Sequence, residues 1–274
     1  NVTLRTNLKV ERLATSNDGH RVTTVHCTRD GGKESFAARV VVLAAGAVNS
    51  AAVLLSSASD AHPRGLANGS GQVGRNYMCH INSVMLGLAP WRANPTVFQK
   101  TIGVNDFYRE SGDAGFPWPL GHVQLLGKVT GKVLAAQRPR LPRRLAQWSG
   151  RHSVDWWLTT EDLASPDNRV TLSEEGRIRL SYAPNNLEAH ARLLSRWRAI
   201  LRRIDYPLLF TQTLGIEAVA HQVGTARFGS DPASIQGAVQ RASPGLAQAD
   251  ALIIPGDPDI VAQVGQALAT AGVN

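Results

Sequence analysis

The sequence predicts a fold with α/β and α+β parts: the remnant of a Rossmann-like domain with a β-meander, joined to a mixed or antiparallel sheet domain flanked by helices. Three observations predict it. Apolar residues alternate with polar ones over the first stretch of the chain, a continuous β-branched run follows at Val40–Leu43, and a helical pattern begins after Asn186. Alternation is typical of half-buried strands, whereas spacings of three and four are typical of helices.

The first strands are separated by two glycine-containing turns. Asn17-Asp18-Gly19 and Asp30-Gly31-Gly32 each stand between alternating segments. Because Gly, and to a lesser degree Asn and Asp, accept a positive φ, such turns favour hairpins. The first part of the chain is therefore predicted to form a small antiparallel meander.

The run from Arg39 to Ala47 predicts a strand that is buried on both faces. Continuous β-branched stretches of this kind belong to parallel sheets that helices cover. Asn49 and Ser50 can then cap a helix that extends to about Ser57.

The second half of the chain predicts more strands and one long helix. The stretch from Ser56 to Gly74 is rich in turn-forming residues, so we expect a surface loop at a domain boundary. The helix begins at Asn186, has apolar residues at spacings of three and four, and stops before Pro207. Strands are predicted at Asn82–Leu88, His122–Val129, His152–Thr160, Arg169–Leu172 and Arg177–Tyr182, the last two forming a hairpin.

Composition excludes several classes of protein. With 43% hydrophobic and 18% charged residues, the chain is expected to be soluble and globular, and no apolar run reaches the roughly 18 residues that span a bilayer. The sequence opens with neither Met nor a secretory leader, so we expect its natural start to lie upstream. Cys27 and Cys79 cannot build a disulfide framework, which favours a cytoplasmic location. Their neighbouring histidines lack the closed spacing of a zinc site, and no metal is expected.

The net charge of +8 is most concentrated between Lys132 and Arg151. Such a run is either a nucleic-acid patch or a solvated connection or lid. Pro139 and Pro142 interrupt it, which favours the solvated connection, and no nucleic-acid partner is expected.

Three segments, in this order, resemble the glucose-methanol-choline (GMC) family of FAD-dependent oxidoreductases, closest to its bacterial choline-dehydrogenase-like members. The first is Val40 to Ser50, similar to the family's strand-turn-helix beside the adenosine half of FAD. The second is Gly71 to His80, with Val-Gly-Arg-Asn at residues 73–76, although Cys79 stands where the family has Asp before His. The third, His221 to Gly229, resembles the family's His-x-x-Gly-Thr active-site segment.

The resemblance implies an enzyme that oxidises the CH–OH group of a small-molecule alcohol, with hydride transfer to N5 of the flavin. His221 would be the general base, because imidazole titrates near working pH and can take the hydroxyl proton. The sequence distinguishes neither the alcohol nor the electron acceptor. The residues implied to bind FAD are Val10 through its main chain, Ala44, Ala45 and Gly46 near the adenosine half, and Gly224 and Thr225 near the flavin ring.

His80 and at least one of two adjacent tryptophans are expected to be structural. His80 lies in a family segment but has no evident chemical task. Of the adjacent Trp156 and Trp157, one must point to each face of a strand, so at least one belongs to the core while the other could line a substrate pocket.

The chain departs from the family pattern at both ends. The Gly-x-Gly-x-x-Gly strand-turn-helix that holds the FAD pyrophosphate would precede Asn1, and none is expected within the chain. Residues 233–274 do not resemble the family's ending, although Ala251–Ile254 could form a strand and Asp259 to Ala271 a helix. The alternative to an enzyme is therefore a non-catalytic remnant that cannot bind FAD.

The predicted domain organisation follows from these boundaries. The expected regions are 1–57, the end of the FAD-binding domain; 58–80, a connecting loop; 81–220, the substrate-binding domain; 221–232, a returning active-site segment; and 233–274, a divergent tail.

Overall fold

The computed structural model describes residues 3–98, 100–219 and 221–226, together with the backbone of residues 251–254. The chain divides into two compact units. The first comprises Asn1–Met78, Ala164–Ala183 and Gln222–Asn274, and the second comprises Cys79–Leu163 and Pro184–His221. That these units bind FAD and substrate, respectively, stays a prediction.

Strands and helices follow one another along the chain in the order of their numbers. The strands are β1 (Lys9–Thr15), β2 (Val22–Arg29), β3 (Gly32–Phe36), β4 (Val40–Leu43), β5 (His80–Leu88), β6 (Gly103–Val104), β7 (His122–Leu125), β8 (Ser153–Glu161), β9 (Arg169–Leu172), β10 (Ile178–Ser181), β11 (Leu208–Thr213) and β12 (Ala251–Ile254). The helices are α1 (Gly46–Ser56), α2 (Asp106–Arg109), α3 (Gly131–Gln137), α4 (Arg143–His152) and α5 (Leu187–Arg203), with a 3-10 turn at Ile216–Ala218.

The first unit opens with the predicted meander. Strands β1, β2 and β3 pair antiparallel in that order, and Asp30 and Gly31 both adopt a positive φ in the turn between β2 and β3. Leu13, Val25 and Cys27 form a core with Val53 of α1. The hairpin of β9 and β10, also predicted, belongs to this unit and contributes Val170 to a second core with Ala51 and Val73.

The strand-turn-helix that follows differs in detail from the prediction. Strand β4 pairs parallel with β12, which confirms a strand at residues 251–254, but β4 is half-buried rather than buried on both faces. Helix α1 begins at Gly46, earlier than the expected cap at Asn49-Ser50, and no side chain caps it. Instead, Ser50 Oγ lies inside the first turn and accepts a hydrogen bond from Ala45 N, 3.1 Å away. The helix predicted at residues 259–271 lies outside the described residues.

The second unit is built on an antiparallel sheet of order β11-β5-β8-β7-β6. Helix α5 packs on one face of this sheet, where Leu193 and Leu201 are buried with Met85 and Leu158. Trp156 meets Trp197 of α5 edge to face, with ring centroids 4.6 Å apart. The prediction that one of the paired tryptophans belongs to the core is confirmed, because Trp156 is buried and Trp157 lies on the opposite face.

The arginine-rich stretch, interpreted from the sequence as a solvated connection or lid, contains two helices, α3 and α4, that were not predicted. The Thr130 side chain caps α3 by accepting a hydrogen bond from Val133 N. The two helices approach closely through glycines, since a Cβ added to Gly150 would lie 2.6 Å from the backbone nitrogen of Gly131. Arg143 and Arg144 stay exposed.

Candidate functional site

His221, the predicted base, is the last residue of the second unit, and its side chain is exposed. Its Nδ1 lies 3.1 Å from Nε2 of His80. The two rings meet edge to face, at 90° and with centroids 5.2 Å apart. Because this hydrogen bond uses Nδ1, the Nε2 atom of His221 is the nitrogen left for a ligand.

His80 therefore has a contact that the sequence did not reveal. It is the first residue of β5, it is half-buried, and it was expected to be merely structural. Burial lowers the pKa of His80, as does the neighbouring His221, while the carboxylates of Glu161 and Asp162 oppose this shift. At neutral pH His80 is thus an uncharged partner for His221. The two histidines are 141 residues apart in sequence, so no local pattern signals their meeting.

Cys79, which stands where the family has Asp, is held by a carboxylate from another strand end. Asp162 Oδ2 accepts a hydrogen bond from Cys79 N at 3.1 Å and lies 3.4 Å from Cys79 Sγ. Both residues are buried. An acidic group is therefore present at this position, although a different residue supplies it.

The sheet face opposite α5 carries polar and aromatic side chains. The residues that register places on this face include His80, Asn82, His122, Gln124, Trp157, Thr159 and Glu161. Asn82 Oδ1 accepts hydrogen bonds from Trp157 Nε1 at 3.2 Å and from Thr159 Oγ1 at 3.0 Å. His122 Nδ1 donates to Asn105 Oδ1 at 2.6 Å, since an amide oxygen can only accept. This polar face lies in the same unit as His221.

In the first unit, the three segments that resemble the GMC family come together at Thr225. Thr225 Oγ1 donates a 2.7 Å hydrogen bond to the carbonyl of Ala47, and Gly74 N donates to Thr225 O at 2.8 Å. Met78 and Val223 also form an antiparallel bridge. The first segment is thus joined to the third, and the third to the second. Residues 227–229 of the third segment lie outside the described residues.

The other predicted FAD-binding residues have distinct surroundings. Ala44 is buried, and the space in front of Gly46 is open, since a Cβ there would meet nothing within 4 Å. The side chain of Val10 packs against the meander core. Gly224 has a φ of +98°, and a Cβ at this position would lie 1.9 Å from the carbonyl oxygen of Asn76. The packing of the chain itself therefore requires glycine at this position.

The expectation that no Gly-x-Gly-x-x-Gly spacing occurs in the chain is wrong. Gly69, Gly71 and Gly74 have this spacing. They lie in turns and irregular backbone between α1 and β5, however, and neither follow a strand nor open a helix. The pyrophosphate-binding geometry needs a strand, a tight turn and a helix N-terminus, so this loop does not provide it.

Two negative findings apply to the described part of the chain. No group of three or more His, Cys, Asp or Glu side chains comes close enough there to hold a metal ion. None of the helices described there has both the length and the apolar character needed to cross a bilayer.

Comparison with known proteins supports the resemblance. Residues 1–82 match the model of the family described as GMC oxidoreductase. The chain is 32% identical to 2-methyl-1,2-propanediol dehydrogenase from Mycolicibacterium austroafricanum over 116 residues, which is 41% of this chain and 21% of that protein. It is 28% identical to paromamine 6'-oxidase from Streptomyces fradiae over 254 residues, which is 85% of this chain and 44% of that protein. The chain thus spans less than half the length of these relatives.

A solved structure shares the fold. Pyridoxine 4-oxidase from Mesorbium loti superimposes with a TM-score of 0.51 at 19% identity, covering 83% of this chain and 48% of that one. Residues 1–82 thus match the GMC oxidoreductase family, and the fold of the chain is similar to that of this oxidase.

Proposed function

We propose that this chain serves an FAD-dependent enzyme that oxidises an alcohol CH–OH group, with His221 as the general base. The observation that carries the proposal is the position of His221. Its exposed imidazole is hydrogen-bonded through Nδ1, and Nε2 remains available to take a hydroxyl proton. Removal of that proton leaves alkoxide character on the substrate oxygen, which the resulting imidazolium stabilises electrostatically.

The residues of the first unit fit a role in holding FAD. Small residues at Ala44 to Gly46 follow a parallel strand, where nucleotides usually bind, and the space in front of Gly46 is open. Thr225 ties this segment to the active-site segment by its bond to Ala47. Val10 and Gly224 complete the set that we assign to the cofactor. When bound, FAD supplies the hydride acceptor.

We further propose that the substrate is a small alcohol with several polar groups. The sheet face that holds His80 also presents Gln124, Thr159 and Glu161, which can hydrogen-bond to hydroxyl or amino groups. Trp157 offers an apolar surface beside them. One relative is named for a diol, which agrees with this class of substrate.

The test is the loss of alcohol-dependent flavin reduction in His221→Ala. The chain is first titrated with FAD, and binding is followed by the visible spectrum. The loaded protein is then mixed anaerobically with a panel of monohydric alcohols and diols, and flavin bleaching is timed. We expect His221→Ala to bind FAD normally and to reduce it about 10²- to 10⁴-fold more slowly, the usual contribution of a general base.

The matched control is His20→Ala, which removes an exposed histidine in a turn of the meander unit. It should reduce flavin at the parent rate. Equal rates for the parent and for His221→Ala would remove His221 from the chemistry.

A second candidate is a chain that does not turn over by itself. It is favoured by one observation: the single Gly-x-Gly-x-x-Gly spacing in these 274 residues lies in a loop rather than in a strand-turn-helix. Under this alternative the FAD titration gives no saturable binding. Saturable binding at a stoichiometry near one would exclude it.

A further inference from the structure

The pairing of His80 with His221 has a chemical consequence beyond the contact itself. We propose that His80 is a positioning residue that accepts the Nδ1–H of His221 and so keeps the Nε2 lone pair of His221 free for the substrate proton. The inference rests on the proposed role of His221 as base. It assigns to His80 a function in fixing the tautomer and the orientation of another ring.

The backbone around His80 is fixed on both sides. His80 pairs with Glu161 in the ladder between β5 and β8. The preceding residue, Cys79, is held at its nitrogen by the Asp162 carboxylate, and its carbonyl accepts from Asp162 N at 3.1 Å. The His80 ring therefore projects from a rigid strand, whereas His221 lies on an exposed segment outside the sheet. The rigid ring is the one that can orient the other.

The surroundings of His80 indicate that its role is to contact His221 rather than to fill space. Its Nδ1 is buried and has no hydrogen-bond partner among the described residues. A buried, unsatisfied nitrogen costs free energy, so an apolar side chain of similar size would be more stable at a position that served packing alone. The hydrogen bond of His80 among the described residues runs to His221. Retaining an imidazole here is thus explained by what it does for His221.

Only one direction of this hydrogen bond is compatible with His221 acting as a base at Nε2. The contact between two ring nitrogens holds one proton. If His80 donates it, neutral His221 carries its own proton on Nε2 and cannot act as a base there. If His221 donates it from Nδ1, Nε2 is free. Once His221 has taken a proton it carries N–H groups at both positions, and only a neutral His80 can accept the one at Nδ1.

The charges that face His80 allow this arrangement. Burial keeps the His80 ring neutral, and the charge of a protonated His221 reinforces this. The carboxylates of Glu161 and Asp162 lie near enough to favour a proton on the ring, which in the productive form sits on Nδ1. Glu161 itself accepts a hydrogen bond from the Tyr108 hydroxyl at 2.7 Å. Together these groups match a neutral ring that accepts at Nε2.

The experiment compares His80→Gln with His80→Phe. The amide of Gln reaches about as far as Nε2 of His and can accept the Nδ1–H of His221, whereas Phe fills the space without accepting. The chain is labelled with ¹⁵N in histidine, and long-range imidazole spectra report which nitrogen of His221 is protonated. His221→Gln identifies its signals among the eight histidines.

We expect neutral His221 to be protonated on Nδ1 in the parent and in His80→Gln, and to lose this preference in His80→Phe. The rate of alcohol-dependent flavin reduction should fall about tenfold in His80→Phe, as expected when an orienting partner is removed. In His80→Gln the rate should stay within a few-fold of the parent rate. The pH dependence of the flavin-reduction rate should change only in His80→Phe. A purely structural role predicts instead that Phe is tolerated at least as well as Gln.

A parent protein whose neutral His221 carries its proton on Nε2 would overturn the inference, even if the Phe variant failed to fold. Identical His221 spectra in the parent and in His80→Phe would do the same. Because the spectra require no catalytic turnover, the role of His221 as base and the role of His80 as positioning residue can be refuted independently. The expected spectra together with an active His221→Ala would refute only the base, whereas contrary spectra with an inactive His221→Ala would refute only the positioning role.

Discussion

At the scale of single residues, a buried histidine in the second unit is held in one protonation state by its neighbours. Thr160 Oγ1 donates to the carbonyl of Leu120 at 2.8 Å, so it can only accept from His190 Nδ1, 2.9 Å away. Nε2 of His190 then accepts from the Ser83 hydroxyl at 2.7 Å, and Ser83 in turn contacts Thr213. This chain of hydrogen bonds requires a neutral His190, and desolvation by burial lowers its pKa to about 4.

The stability of the second unit should therefore fall as pH drops from 6.5 toward 4. An unfolded histidine titrates near 6.5, so in this window the unfolded state binds a proton that the folded state excludes. The stabilisation is fully present above pH 6.5, and its loss amounts to roughly 3 kcal/mol. The measurement is urea unfolding followed by tryptophan fluorescence at several pH values. His190→Leu should flatten the dependence, and His20→Leu, at an exposed site, should leave it unchanged; equal slopes in all three proteins would contradict the assignment.

At the scale of elements, two glycines share a positive φ but differ in how closely other atoms approach them, so comparing them distinguishes the cost of backbone conformation from the cost of close packing. Gly31 has a φ of +80°, and a Cβ added there would meet nothing within 4 Å, whereas at Gly224 the same atom would lie 1.9 Å from the Asn76 carbonyl oxygen. Substitution of either glycine by Ala incurs the cost of an unfavourable backbone conformation, but only Gly224→Ala must also displace the backbone around Asn76.

We expect Gly31→Ala to lower the free energy of unfolding by about 1 kcal/mol. Gly224→Ala should cost more than the roughly 1–3 kcal/mol of backbone strain alone, because the bridge between Met78 and Val223 must shift as well. The difference is measured by denaturant unfolding followed by circular dichroism. If the two variants were equally stable, the close approach of Gly224 to Asn76 would be refuted.

At the scale of the whole molecule, sequence predicted what depends on neighbours along the chain. The turns at Gly19 and Gly31 and the spacing in α5 are local patterns with a direct physical cause, and the meander and the helix followed from them. Helices α3 and α4 were missed because charge and proline dominate that stretch, while a Thr130 cap and paired glycines decide its structure.

Contacts between distant segments could not be derived in this way. Strand β4 finds its partner β12 more than 200 residues later, and His80 meets His221 across 141 residues. Hydrophobic pattern records which face of an element is buried, but not which other element covers it. Resemblance to a family singled out His221 and Thr225, whereas their partners His80 and Ala47 required coordinates.

The separate cores of the two units lead to a prediction about the whole molecule. Leu13 is buried in the core of the meander and Leu193 in the core beneath the five-stranded sheet, and the two clusters share no residue. Each substitution to Ala should destabilise its own unit by about 2–5 kcal/mol.

All six tryptophans lie between residues 91 and 197, within the second unit, so their fluorescence reports on that unit alone. Leu193→Ala should lower the fluorescence midpoint, while Leu13→Ala should leave it in place and instead speed amide hydrogen exchange in β1 to β3. A fluorescence midpoint that fell equally in both variants would show that the units unfold as one cooperative body.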